Sequence, residues 1–257
     1  MKHILVPTDF NELATAAVET AGGIAQATGA RVTLLYADRF EPPLEFLHTE
    51  VLTMAKAIER ARRHAREELA RYAEAHLPRQ VAREAVVVEQ EPVAAILAYA
   101  RDHDADLIVM GTHGRGGLQR VVLGSVAEAV LDAASVPVLT VRSAQARPRI
   151  AKILCAVNVE DDPHAALDYA FDFAAALGAE LTILHAREEG EPPMRFEERV
   201  PPELASRISV ERLTPHRHVG DEIVTIAEER GFLERGDKVG FLGIGSGLNC
   251  LMLGFQW

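Results

Sequence analysis

Short apolar runs alternate with longer amphipathic stretches along the first 143 residues. His3-Ile4-Leu5-Val6, Arg31–Ala37 (RVTLLYA), Val86-Val87-Val88, Leu107-Ile108-Val109-Met110 and Pro137–Val141 (PVLTV) are brief and mostly apolar. Runs of this length with no polar face predict strands of a sheet covered on both sides. Between them, Glu12–Thr28, a stretch from about Leu47 to His76, and Val93–His103 space their apolar residues at helical intervals. Asn11 or Thr8 can cap the first of these helices and Gly29 ends it. A fourth helix is expected over Val126–Ala134, with Ser125 as its N-cap. Five strands alternating with helices predict an α/β domain over residues 1–143: a doubly wound, parallel five-stranded sheet with right-handed crossovers.

The pattern then recurs. Ile4–Ala37 aligns without gaps on Ile153–Ala186, and twelve of the 34 pairs are identical, among them Gly29/Gly178 and Thr33/Thr182. An ungapped match of that length predicts a second, degenerate copy of the fold at 149–257, with Ser143–Pro148 as linker. The copy departs at the end of its first strand, where Pro7 becomes Ala156 and Asp9 becomes Asn158. Glu188–Pro202 reads as a loop in place of the long helix, and Asp221–Arg230 as the penultimate helix. Beyond about residue 236 the tail is atypical. Lys238–Leu242 and Asn249–Phe255 read as strands joined by Gly243–Gly247, a hairpin expected to complete the second sheet.

Candidate chemistry is concentrated after the fourth strand. Gly111-Thr112-His113-Gly114-Arg115-Gly116-Gly117 holds four glycines in seven residues, and Gly124-Ser125 opens the next helix. A strand, a glycine loop and a helix start form an arrangement that holds phosphate. The loop lets the main chain approach the oxygens, and the helix end offers N–H groups and a positive dipole. A plain βα turn would need only one or two glycines. The spacing is neither the Gly-Lys-Ser/Thr phosphate loop nor the G-x-G-x-x-G dinucleotide fingerprint.

Gly111-x2-Gly114-x9-Gly124-Ser125 resembles the ATP-binding signature of the universal stress protein family. The resemblance implies an adenine-nucleotide α-hydrolase-like sheet of order 3-2-1-4-5, with ATP and Mg at the switch between strands one and four. It implies that Pro7 and Asp9 border the nucleotide and that Ala37 packs on the adenine. Met110, Gly111, Thr112, Gly114, Gly124, Ser125 and Val126 would hold the ribose and phosphates. Thr8, His113, Arg115 and Gly117, interleaved with these, complete the candidate set, His113 within the phosphate loop itself. Asp9 also suits a helix N-terminus as an acid that complements the dipole. In the resembling family the fifth strands meet across a dimer, so a homodimer through those edges is expected, or pairing within the chain to Asn249–Phe255. Gly236–Trp257 is similar instead to the C-terminal end of condensing enzymes of the β-ketoacyl synthase III kind, and brings none of their Cys-His-Asn set.

Bulk properties narrow the function classes. The chain has 257 residues, 48% hydrophobic and 25% charged, and its net charge of −11 disfavours nucleic acid and anionic membrane as partners. No apolar run approaches the roughly 20 residues of a membrane span, and the first residues enter a strand, so a cytoplasmic location is expected. Cys155 and Cys250 both sit in apolar runs and read as reduced thiols. His216-x-His218 lacks a third ligand nearby, and Glu59–Arg71 reads as a solvated helix face. No catalytic or metal-ligating set is read from spacing. The leading expectation is a regulatory ATP-binding stress protein with tandem domains. A slow ATPase or nucleotidyl-transfer enzyme on the same sheet, and a dimerisation scaffold without nucleotide, stay open.

Overall fold

The computed structural model describes residues 1–37, 51–112, 124–141, 150–157, 164–186, 199–213, 238–243 and 250–255. In the first half, β1 (His3–Pro7), α1 (Glu12–Thr28), β2 (Arg31–Ala37), α2 (Val51–His76) and β3 (Arg83–Val88) lead to α3 (Pro92–Asp102). β4 (Leu107–Gly111), α4 (Ser125–Ala133) and β5 (Val138–Val141) follow. The second half contains β6 (Ile150–Val157), α5 (His164–Leu177), β7 (Glu180–Ala186), a 3-10 turn (Pro202–Arg207), β8 (Ile208–Leu213), β9 (Lys238–Gly243) and β10 (Cys250–Phe255).

All ten strands form one sheet of order β3-β2-β1-β4-β5-β9-β10-β6-β7-β8. The first five strands are parallel and take the expected order 3-2-1-4-5. Alternate residues face opposite layers. Ile4, Val6, Val32, Leu34, Leu107 and Val109 pack with α1 and α2, whereas Leu5, Leu35, Ile108 and Met110 pack with α3 and α4. The first of these cores continues into the second half through Ile153, Leu167 and Phe171, where α5 lies against α1.

Local chemistry sets the element ends. The Asn11 side chain accepts a 2.8 Å hydrogen bond from the Ala14 N–H and so caps α1. Gly29 ends α1 at φ 74°, and its counterpart Gly178 has φ 65° after α5, a region that glycine alone enters at no steric cost. The duplication extends to hydrogen-bond register. His3 pairs with Arg31 and Ile4 with Val32 in the first half, and Lys152 with Glu180 and Ile153 with Leu181 in the second.

Four expectations need correction. α4 starts one residue early: Gly124, at φ −66° and ψ 147°, is its N-cap, and Ser125 is its first helical residue. β8 lacks a clean apolar alternation and was not expected. β9 and β10 do form an antiparallel hairpin, but it joins the two halves into one sheet. β9 takes the free edge of β5, pairing Val138 with Gly243 and Thr140 with Phe241, so that edge is not open to a second copy. The strand pairing with β5 is therefore Lys238–Gly243; the Asn249–Phe255 region supplies β10, which pairs with β6. The linker at 143–148, residues 188–198 of the expected loop, the 221–230 helix, and His216 and His218 lie outside the described residues. Cys155 is buried.

Candidate functional site

The strand order reverses between β1 and β4, which leave the sheet side by side with their following helices on opposite faces. Such a switch opens a crevice at the carboxyl ends of the strands. Here it is a cleft of about 730 Å³. Pro7, Thr8 and Asp9 line it from the end of β1, Ala37 from the end of β2, and Met110, Gly111 and Thr112 from the end of β4. Gly124, Ser125 and Val126 line it from the start of α4. These ten candidates, scattered over 120 positions of sequence, are brought to one wall system; His113, Gly114, Arg115 and Gly117 lie outside the described residues. The sequence reading missed Phe10, Asn11, Ala14, Leu35, Pro92, Ile96 and Ala127 as lining residues. Pro92 and Ile96 carried a signal, since a proline opening a helix after the third strand aims that helix end at the same crevice.

The polar wall is held rigidly. The Thr8 N–H donates to the Leu35 carbonyl at 3.0 Å, and the Thr8 hydroxyl accepts from the Phe10 N–H at 3.1 Å. Both Asp9 carboxylate oxygens accept from Asn11, Oδ2 from its side-chain amide at 2.8 Å and Oδ1 from its N–H at 3.2 Å. Asp9 is the only carboxylate, and no lysine or arginine occurs, among the described lining residues. Phe10 sits at φ 63° and is 39% exposed on the rim. Its ring lies 5.1 Å from those of Tyr36 and Tyr72. Burial pushes the Tyr72 phenol up, and its hydroxyl meets Thr15 Oγ1 at 2.7 Å.

Gly111 proves to serve packing. A Cβ at this position would lie 2.8 Å from the Leu13 carbonyl carbon and 2.9 Å from both its carbonyl oxygen and its Cβ. The missing side chain therefore lets α1 close on β4. Anion capacity lies instead at α4. The Gly124 N–H donates to the Thr112 carbonyl at 2.7 Å, which fixes the helix start against the end of β4. No side chain caps α4, and the N–H groups of a helix's first turn have no partner within the helix. The donors of Ser125 and the residues after it thus face the cleft with the positive end of the helix dipole.

These walls fit a nucleotide. Leu35, Ala37, Ile96 and Met110 form an apolar surface suited to a flat base, and the α4 start suits phosphate. Asp9 is the side chain placed to share a divalent cation with bound phosphate. Among the described residues no cluster of three metal-ligating side chains exists.

A parallel arrangement of this order in the first five strands, with a cleft at its switch point, defines an open, doubly wound α/β fold. The family model of the universal stress protein family matches residues 1–142 and 149–231, and the chain belongs to that family. It is 36% identical over 143 residues to a universal stress protein of Thermus aquaticus, covering 55% of this chain and 98% of that protein. It is 33% identical over 150 residues to one from Methanocaldococcus jannaschii, covering 55% and 82%. A solved universal stress protein from Archaeoglobus fulgidus superposes with a TM-score of 0.62 at 23% identity, over 89% of this chain and 84% of that one, so the fold is shared across both halves. The hairpin lies outside the family match. A 32-residue stretch is 66% identical to an acyl-CoA:acyl-CoA alkyltransferase of Shewanella oneidensis, but it spans only 9% of that protein. No helix among the described residues is long and apolar enough to cross a membrane.

Proposed function

We propose that the protein is a regulatory binder of ATP, taken with a divalent cation in the cleft of the first half. The observation that carries this reading is the convergence of three strand ends and the uncapped start of α4 on one cleft. The base lies against Ala37 and Leu35, the phosphates meet the N–H groups of Ser125 and Val126, and Asp9 shares the cation. By the sequence signature alone, Gly114 and Arg115 are the further candidates for phosphate contact. Binding rather than turnover is favoured because Asp9 is the only candidate base on the described walls, and both its oxygens are already engaged by Asn11.

One nucleotide binds per chain. In the second half β10 takes the place beside β6 that β4 takes beside β1, but runs antiparallel. The chain thus leaves that position in the wrong direction to present a helix start at the carboxyl end of β6. Ala156 also stands where Pro7 fixes the first turn.

Calorimetry with ATP tests both statements. Gly124 already has the extended backbone that a following proline demands, and proline is tolerated at a first helical position. Ser125→Pro should therefore leave the fold intact while deleting one phosphate donor. Loss of one charge-assisted hydrogen bond predicts roughly 10- to 100-fold weaker binding. Unchanged affinity in this variant, or two equivalent sites per chain, overturns the reading.

A further inference from the structure

The long helix α2 runs antiparallel to β2 and β3, and only its C-terminal half rests on the sheet. Leu69, Ala73 and Leu77 are buried there. Arg62 makes a two-pronged ion pair with Glu89, the first residue beyond β3, and so stands level with the carboxyl edge of the sheet. The turns from Val51 to Arg62 carry the helix about 16 Å past that edge. This is the edge at which the cleft opens.

At about 100° per residue, Arg62, Arg66, Leu69 and Ala73 fall within about 60° of one another. The face that is apolar deeper over the core thus becomes arginine in the turn that reaches the carboxyl edge of the sheet. Glu59, Arg62, Arg63 and Arg66 share this side of the helix at spacings of three and four, and they line a concavity of about 440 Å³. Among the described residues Arg66 has no ion pair, and Arg63 reaches Glu67 only at 4.0 Å with both side chains exposed. Three guanidinium groups around one concavity run against the charge of a chain at −11.

We propose that this arginine face, at the carboxyl edge of the sheet, is a binding site for a phosphate dianion, distinct from the α4 start. Guanidinium forks match phosphate oxygens in pairs, and two forks one helical turn apart, with a third beside them, suit one such group. Glu89, paired with Arg62, and Glu59, on the wall of the concavity, are the resident counter-charges. Exposed pairs of this kind contribute little, so a dianion displaces Glu89. The phosphate can belong to the tail of a nucleotide seated in the cleft or to a separate molecule.

The test is calorimetric titration of the full chain with pyrophosphate at low salt, with Arg62→Gln/Arg66→Gln as the comparison. Pyrophosphate should bind the wild type, and the double variant should weaken it at least tenfold with little change in unfolding midpoint. If ATP then blocks pyrophosphate and the variant also weakens ATP, the site takes the nucleotide's own tail. If the two ligands bind together and ATP is unaffected, it takes a phosphate from another molecule. Pyrophosphate that fails to bind at millimolar concentration, or that binds the double variant as tightly as the wild type, overturns the proposal. These readouts do not depend on ATP binding, so failure of the nucleotide reading remains distinguishable.

Discussion

Gly111 and His3, at opposite ends of two neighbouring strands, β4 and β1, show how single residues constrain the molecule. At Gly111 any side chain drives into the Leu13 backbone, which cannot yield as a flexible side chain would. Gly111→Ala should cost about 1–3 kcal/mol through overpacking, read as a lower urea midpoint at constant slope. His3, 2% exposed, is held by the His103 carbonyl at 3.0 Å and Thr33 Oγ1 at 2.9 Å, with the Arg31 guanidinium 3.2 Å from Nδ1. Burial depresses its pKa below the ordinary 6.5. As pH falls below that value the unfolded chain takes the proton first. The stability His3 contributes is therefore complete above pH 6.5 and is lost as pH falls toward the folded-state value. Urea midpoints between about pH 7 and 5.5 should decline in the wild type and decline less in His3→Gln; parallel profiles would contradict this.

The elements differ in how far their own residues announce them. α1 and β2 were legible to the residue, because Asn11, Gly29 and the seven-residue run to Ala37 carry caps and boundaries locally. The strand ends of the cleft were legible for the same reason, since each closes an apolar run. Ser125 was misplaced by one position because cap and first helical residue differ only in backbone angles. The tight approach of Leu13 to Gly111 was invisible, being a contact between residues far apart in sequence. β8, ISVERL, alternates too weakly to stand out, and no local pattern says that β9 would pair with β5. That pairing carries a prediction. Removing residues 236–257 uncovers the apolar edge of β5 and should make the protein associate with rising concentration in light scattering. A deletion variant that stays monomeric would show that the edge is protected in some other way.

At the scale of the molecule, the two halves share one sheet and one of their two cores, so neither is an independent bead on a linker. A single cooperative thermal transition is expected for the full chain, and two after the hairpin is removed, by calorimetry. The palindromic strand order places the hairpin where a second copy's strands would otherwise stand, with β9 parallel to β6 and β10 reversed between them. The hairpin also governs the order of events in folding. β1 and β2 meet over one short helix, whereas the pairings of β9 with β5 and β10 with β6 join residues about a hundred positions apart. Refolding should therefore show a fast phase as the βαβ units form and a slow one as the sheet is zipped, with the slow phase absent from the deletion variant. Until that last step both β5 and β6 expose open edges, and the half-folded chain is most vulnerable to aggregation then.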